Sequence, residues 1–397
     1  MRIGVDATCW ANERGYGRFA REMVSAMVQL SPSDDFICLL DRTSAACFEL
    51  TAPNLRTVIV EMDAAPSAAA SAAGNRRITD MLRMTRATAR ESMDVFFSPS
   101  VYTYFPLPPG LPAVVTIHDA IAERFPHLTV PSRRARLFWR LKVWLALKQA
   151  DHVLTVSEYA ARDIARIHHV PENRITVALE APAKAYSPSL DMSDVRKAAA
   201  RAGLPDGARW FIYVGGFNPH KNVPAIVRAH AALVKEMLVK ESETSPPFLV
   251  LVGTLDRDVF HGDQAAIRQS IAECGTEAFV RWTGFVADEE LRHLHSGAVA
   301  LLIPSECEGF GLPAVEAAAC GAPVIATIES PLPELLAGGG IFVTPGDAPA
   351  LLAAMRTMTS DEPARLSLSA GALRAAGKLD WKRGAEATLQ AIRSVSG

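Results

Sequence analysis

Two doubly wound α/β domains are the fold that this 397-residue sequence predicts. Three observations carry that reading. Apolar runs of strand length alternate with helix-length segments along the whole chain. The runs are continuously apolar, as parallel strands covered on both faces must be. A chain of this length also exceeds what one hydrophobic core supports. The first set of runs is Ile3–Val5, Phe36–Leu40, Thr57–Val60, Val95–Phe97, Val114–Ile117 and His152–Val156. After a Pro- and Ala-rich interval, Ala181–Pro188, come Trp210–Val214, Phe248–Val252, Phe279–Trp282, Val299–Ile303, Pro323–Ala326 and Ile341–Val343. Rossmann-like domains are therefore expected over residues 1–188 and 189–379, with a last helix from about Asp380 to Ser394 within the segment 380–397. Ligands of such sheets bind beyond the carboxyl ends of the strands, here in a cleft that the two domains face. The low-complexity stretch Ala64–Ala73 is expected to be a loop.

Composition narrows the function. Hydrophobic residues make up 49% of the chain, and the net charge of −2 gives no reason to expect nucleic-acid binding. The six cysteines lack metal-ligand spacing and read as small core residues of a reducing compartment. Met1-Arg-Ile-Gly-Val reads directly as a strand, so no signal peptide is expected, and no apolar run approaches the ~18–20 residues that span a bilayer. The expectation is a cytoplasmic protein, at most peripheral on the inner face of a membrane.

The segment Glu308-Gly-Phe-Gly-Leu-Pro-Ala-Val-Glu316 follows a buried-strand signal and runs into a helix closed by Gly321 and Pro323. Gly309 and Gly311 allow close backbone approach to a ligand, and Pro313 suits a first helical turn. The N–H groups of Phe310, Gly311 and Leu312 then sit at the positive end of the helix dipole, a natural phosphate seat. Carboxylates beside a phosphate serve other groups of the same ligand. A nucleotide-sugar offers hydroxyls on both sides of its diphosphate.

This pattern, Glu-x7-Glu with Gly-Phe-Gly-Leu-Pro inside it, resembles the retaining GT-B glycosyltransferases of family 4. Other segments occur in that family's order. Gly15-Tyr-Gly-Arg-Phe-Ala20 resembles the family's glycine loop, which approaches the donor diphosphate and the acceptor. It is read as a flexible lip before a helix starting near Arg18, with Gly15, Gly17 and Arg18 near the phosphates; a solvated Arg18 is the alternative. The same six residues superficially match a dinucleotide fingerprint, with Asp41 after the second strand, which makes an NAD(P)-dependent oxidoreductase the rival. That fingerprint needs its first glycine at the end of the first strand, and here Cys9 to Gly15 intervene. His118, just past a buried strand, matches a family histidine close to the transferred sugar; Asp119 either orients it or caps the next turn.

In the second half, Val214-Gly-Gly-Phe-Asn-Pro-His-Lys-Asn222 reads as strand, turn and helix start, with Asn222 as N-cap. The family uses this lysine, Lys221, together with an arginine several residues earlier, to clamp the diphosphate. Gly216 or its neighbours take the arginine's place here, leaving Arg18 or His220 to compensate. Thr283-Gly-Phe-Val286 resembles the loop that packs on the nucleotide base, through Phe285 and Val286. Val153–Ser157 and Pro331–Glu334 also match family segments, with Glu334 structural. The family's last helix crosses back to the first lobe.

The resemblance implies transfer of a hexose from a nucleoside-diphosphate sugar to an acceptor hydroxyl, with the anomeric configuration retained. Lys221 and the loop N–H groups would hold the leaving diphosphate, Glu308 and His118 the sugar, and Glu316 the ribose. Neither motif set contains an Asp-x-Asp metal signature, so transfer without metal or cofactor is expected. GDP-mannose is the first choice of donor, then UDP-glucose or UDP-N-acetylglucosamine, and the acceptor is a glycan or lipid-linked glycan. An epimerase or a non-catalytic sugar-binding protein is a further alternative. Ser132–Lys148 is the only strongly basic helical stretch. Its apolar residues are spread around the helix, which favours packing on the sheet over contact with anionic lipid.

Overall fold

The computed structural model describes residues 1–13, 15–64, 77–130, 132–239, 245–253 and 262–396. The expected Ala-rich loop lies, from residue 65 onward, outside them. The chain forms two compact units, residues 1–180 with 380–397, and residues 181–379. The sequence places the change near residue 188, whereas the units change after Glu180. The interval between belongs to the second unit because Tyr186 Oη donates to Asp288 at 2.8 Å and the Ser189 N–H to Ser296 Oγ at 3.0 Å.

The first unit holds a seven-stranded parallel sheet. In chain order its strands are β1 (Arg2–Asp6), β2 (Asp35–Leu40), β3 (Leu55–Ile59), β4 (Val95–Ser98), β5 (Ala113–Thr116), β6 (His152–Thr155) and β7 (Ile175–Val177). In space the order is β3-β2-β1-β4-β5-β6-β7. Central strands such as β4 and β5 are buried at every residue, as their unbroken apolar runs require. β7 is absent from the expected set. It is three residues long, lies at the sheet edge and is only half-buried, so it carries no continuous apolar run.

The helix Gly15–Leu30 buries Phe19, Ala20, Met23, Val24 and Met27, an i, i+3, i+4 stripe. Against it packs the last helix, Trp381–Val395, which buries Trp381, Ala385, Thr388, Leu389 and Ile392. Asp380 caps that helix by accepting the Lys382 N–H at 2.9 Å, and Arg393 reaches Ser31 and Asp34 at 2.9 and 3.2 Å. Gly384 sits where a Cβ would lie 2.4 Å from the Leu179 carbonyl oxygen. Gly384→Ala is therefore expected to cost about 1–3 kcal/mol, read as a shifted urea midpoint at unchanged m-value. An unchanged midpoint would mean that the last helix is held less closely than this geometry requires.

The second unit holds a six-stranded parallel sheet of β8 (Trp210–Val214), β9 (Phe248–Val252), β10 (Val280–Gly284), β11 (Ala300–Ile303), β12 (Val324–Thr327) and β13 (Gly340–Val343). Its order is β10-β9-β8-β11-β12-β13. Phe211, Tyr213, Leu249 and Leu251 pack with Ile226, Val227 and Leu233 of the helix Val223–Val239 and with Leu351, Met355 and Met358 of the helix Ala348–Ser360. All six cysteines are free thiols, and Cys9, Cys38, Cys307 and Cys320 are buried. Among the described residues, no helix is long and apolar enough to cross a membrane.

Candidate active site

Strand order decides where each unit gathers its loops. In the second sheet the chain leaves β8 for β9 and β10 on one side and resumes with β11 to β13 on the other. The β8–β11 junction is thus a topological switch point, where the loops beyond the strand ends part and leave a crevice. The Lys221 turn follows β8 and the Glu308 loop follows β11. These are the two segments that sequence pattern singled out.

The two loops are joined at several points. Lys221 Nζ donates to both oxygens of Glu308, at 2.8 and 2.9 Å, and Ser305 Oγ donates to Glu308 Oε1 at 2.6 Å. Glu308 is 7% exposed. Asn222 is left-handed (φ 57°), and its amide donates to Glu306 Oε1 at 2.7 Å and to the Pro304 carbonyl at 3.3 Å. The Glu306 N–H returns a bond to the His220 carbonyl at 2.8 Å. Asn222 thus ties one loop to the other, in place of the N-cap role expected of it.

Next comes the helix Leu312–Ala319, with Pro313 in its first turn and Gly311 at its N-cap. Gly311 has φ 92°, and a Cβ there would sit 2.9 Å from Leu332 Cδ1. Leu332, from the Pro331–Glu334 segment, is fully buried against the loop. The N–H groups of Phe310, Gly311 and Leu312 donate to no other group among the described residues. Glu316 is buried at 4% exposure one turn into the helix. Phe285, after the left-handed Gly284, is 59% exposed and Val286 half-buried, leaving an aromatic face at the end of β10.

His220 does not replace the missing arginine. Burial, then the neighbouring Lys221 charge, pushes its imidazole down to about 3, so it is neutral at physiological pH. Its Nδ1 has no hydrogen-bond partner among the described residues.

In the first unit the switch point lies between β1 and β4. The helix begins at Gly15, three residues before the expected start, so Gly15 and Gly17 are helical and do not form a flexible lip. Gly17 packs where a Cβ would lie 2.0 Å from the Asn12 carbonyl oxygen. Arg18 is half-buried. Arg21, which the sequence did not mark, donates to the Trp10 and Asn12 carbonyls at 2.6 and 2.8 Å and fixes the loop after β1.

His118 follows β5. Its Nε2 lies 3.0 Å from the Pro99 carbonyl, which can only accept, so this nitrogen carries the proton. Burial holds the imidazole down to about 4, and Phe19 meets it edge-on at 4.8 Å. Its Nδ1 stands 3.9 Å from Oε1 of Glu180, a carboxylate buried at 3% exposure that no sequence signal distinguishes. Asp119 Oδ1 accepts the Ile121 N–H at 3.0 Å, the turn-capping alternative. Asp41 likewise caps the helix Arg42–Ala46 at 2% exposure, so the acid that a dinucleotide site would need for ribose is committed elsewhere.

Comparison with known proteins bears on the family and the fold. A profile described as Glycosyltransferase Family 4 matches residues 16–178, and one described as Glycosyl transferases group 1 matches residues 194–374. The chain is 28% identical over 282 residues to O-antigen chain mannosyltransferase B of Escherichia coli, covering 71% of this chain and 70% of that protein. It is 30% identical over 303 residues to a D-inositol 3-phosphate glycosyltransferase of Thermobispora bispora, covering 72% and 67%. The solved sucrose-phosphate synthase of Thermosynechococcus elongatus is similar in fold, with a TM-score of 0.76 at 19% identity over 99% of this chain and 98% of that one. The chain belongs to the family 4 glycosyltransferases, built on the GT-B fold.

Proposed function

We propose that the protein transfers mannose from GDP-mannose, with retention and without a metal, to a glycan or lipid-linked glycan in surface polysaccharide synthesis, on the cytoplasmic side of the membrane. The observation that carries the donor site is the Lys221–Glu308 pair at the switch point, beside the uncommitted N–H groups of Phe310 to Leu312. An arriving diphosphate would draw Lys221 from Glu308 and take the loop N–H groups as further donors, both of which stabilise the charge of the leaving group. Glu308, released, accepts from sugar hydroxyls; Glu316 takes the ribose, and Phe285 and Val286 the base. For His118, neutral and protonated on Nε2, a role toward the transferred sugar rests on the family resemblance. The acceptor oxygen bonds to the anomeric carbon on the face from which the phosphate departs, and the departing phosphate oxygen takes the acceptor proton.

Mannose is favoured by the similarity to the Escherichia coli mannosyltransferase. UDP-glucose or UDP-N-acetylglucosamine is the second reading of the donor. Thermal-shift titration with GDP, UDP, ADP and NAD separates the readings. A diphosphate at 100 times its dissociation constant adds about 2.7 kcal/mol, and GDP alone is expected to do so. Glu316→Ala should weaken that response while the protein stays folded. Stabilisation by NAD alone would overturn the assignment, UDP would redirect the donor, and loss of turnover with a chelator would refute metal independence.

A further inference from the structure

The helix Arg133–Gln149 is a feature that the transfer chemistry leaves unused. Ser132 caps it by accepting the Ala135 N–H at 3.0 Å. Its inward side is accounted for: Val143 and Ala146 are buried in the core of the first unit, with Trp139 and Leu147 packed on the same cluster. Trp139 Nε1 also donates to Glu123 Oε1 at 2.7 Å, which fixes the helix rotation.

The outward side is apolar as well. Leu137, Phe138, Leu141 and Trp144 are 67, 51, 47 and 54% exposed. Residues 137, 141 and 144 follow i, i+4, i+7 spacing and residue 138 borders them, so the four form one stripe. The wide spread of apolar positions seen in the sequence is two opposed faces superimposed. Arg133, Arg134, Arg136, Arg140, Lys142 and Lys148 supply the helix's charge, and no acidic residue interrupts them. The Arg134 guanidinium lies 5.5 Å from the Phe138 ring centroid and the Lys148 ammonium 5.9 Å from that of Trp144, so cationic heads lie over the aromatic bodies of the stripe.

We propose that this outer face docks on an anionic lipid surface. The helix lies in the interface plane, with the four apolar side chains at the acyl boundary and the basic heads at lipid phosphates. Charge decides the occupant. A second copy in a two-fold contact would bring the same all-basic surface against itself, whereas anionic headgroups neutralise it. The inference goes beyond the donor reading and does not rest on it.

Co-sedimentation of the full chain with phosphatidylcholine vesicles, with and without phosphatidylglycerol, tests it. Binding is expected only with phosphatidylglycerol and should weaken at high salt. Joint Arg133→Glu and Arg134→Glu substitution should lower partitioning more than about tenfold, and joint Phe138→Ser and Trp144→Ser substitution should do likewise. Both variants should keep the wild-type circular dichroism and nucleotide thermal shift. Brominated lipid should quench wild-type tryptophan fluorescence, and Trp144→Phe should remove most of that quenching. Equal binding to both vesicle types, unchanged partitioning of both variants, or dimerisation abolished by Phe138→Ser would each overturn the proposal.

Discussion

Replacing Lys221 by methionine is expected to lower kcat/KM for transfer by two to three orders of magnitude, roughly the effect of losing one charge-stabilising donor. The same change should cost about 2–4 kcal/mol of stability. The second effect follows from asymmetric burial. Glu308 is 7% exposed and takes hydrogen bonds from Lys221 on both oxygens, so loss of the lysine leaves it with the Ser305 hydroxyl. A buried carboxylate stripped of its cation costs more than the intact pair contributes. The Lys221 side chain is 23% exposed and can turn to water if Glu308 is neutralised. Glu308→Gln should therefore abolish transfer at a stability cost near ~1 kcal/mol, and Glu308→Gln combined with Lys221→Met should be more stable than Lys221→Met alone. Urea titrations of the three variants beside their turnover decide the matter. A stable, active Lys221→Met enzyme would show that the pair is neither buried support nor phosphate clamp.

Acid should unfold the protein well above the pH at which most carboxylates protonate. His118, His220, His230 and His295 are held down to between about 3 and about 4, in each case chiefly by burial. Folded, these imidazoles stay neutral; unfolded, they take a proton near pH 6.5. Their contribution is fully present above 6.5 and declines as pH falls toward the folded values. Between pH 6.5 and 5 the loss is on the order of 2 kcal/mol per histidine, and four such losses rival a typical total stability of about 5–15 kcal/mol. Glu123, held up to about 7 by burial, works in the opposite sense and offsets roughly one of them. His295 gives the cleanest test, since neither ring nitrogen has a hydrogen-bond partner among the described residues. His295→Leu should move the acid midpoint of tryptophan fluorescence downward and leave stability at neutral pH nearly unchanged. An unmoved midpoint would remove His295 from the account.

The strand runs, the Lys221 turn and the Glu308 loop were legible because each is a contiguous pattern with a local physical cause. Continuous apolar residues mark a strand covered on both faces, and Gly-x-Gly-x-Pro marks a turn into a helix. Contacts made between segments far apart in sequence were not legible. Asn222 bonds Pro304 and Glu306 only because β8 and β11 are neighbours in the sheet. Glu180 lies close to His118 for the same kind of reason. His220 was misread because its chemistry depends on burial, which composition does not report. β7 lies half-buried at the sheet edge with Thr176 between Ile175 and Val177, so it shows no continuous apolar run.

The last helix bears on how the chain is made. Residues 380–396 complete the unit begun by residues 1–180, with the whole second unit intervening in sequence. During synthesis, the apolar stripe of Gly15–Leu30 and the Leu179 carbonyl wait for a partner that emerges about 200 residues later, roughly ten to forty seconds at bacterial or eukaryotic elongation rates. The second unit, continuous in sequence, can close first. The earlier-made unit is then the later to mature, and for that interval the nascent chain displays a surface for chaperones.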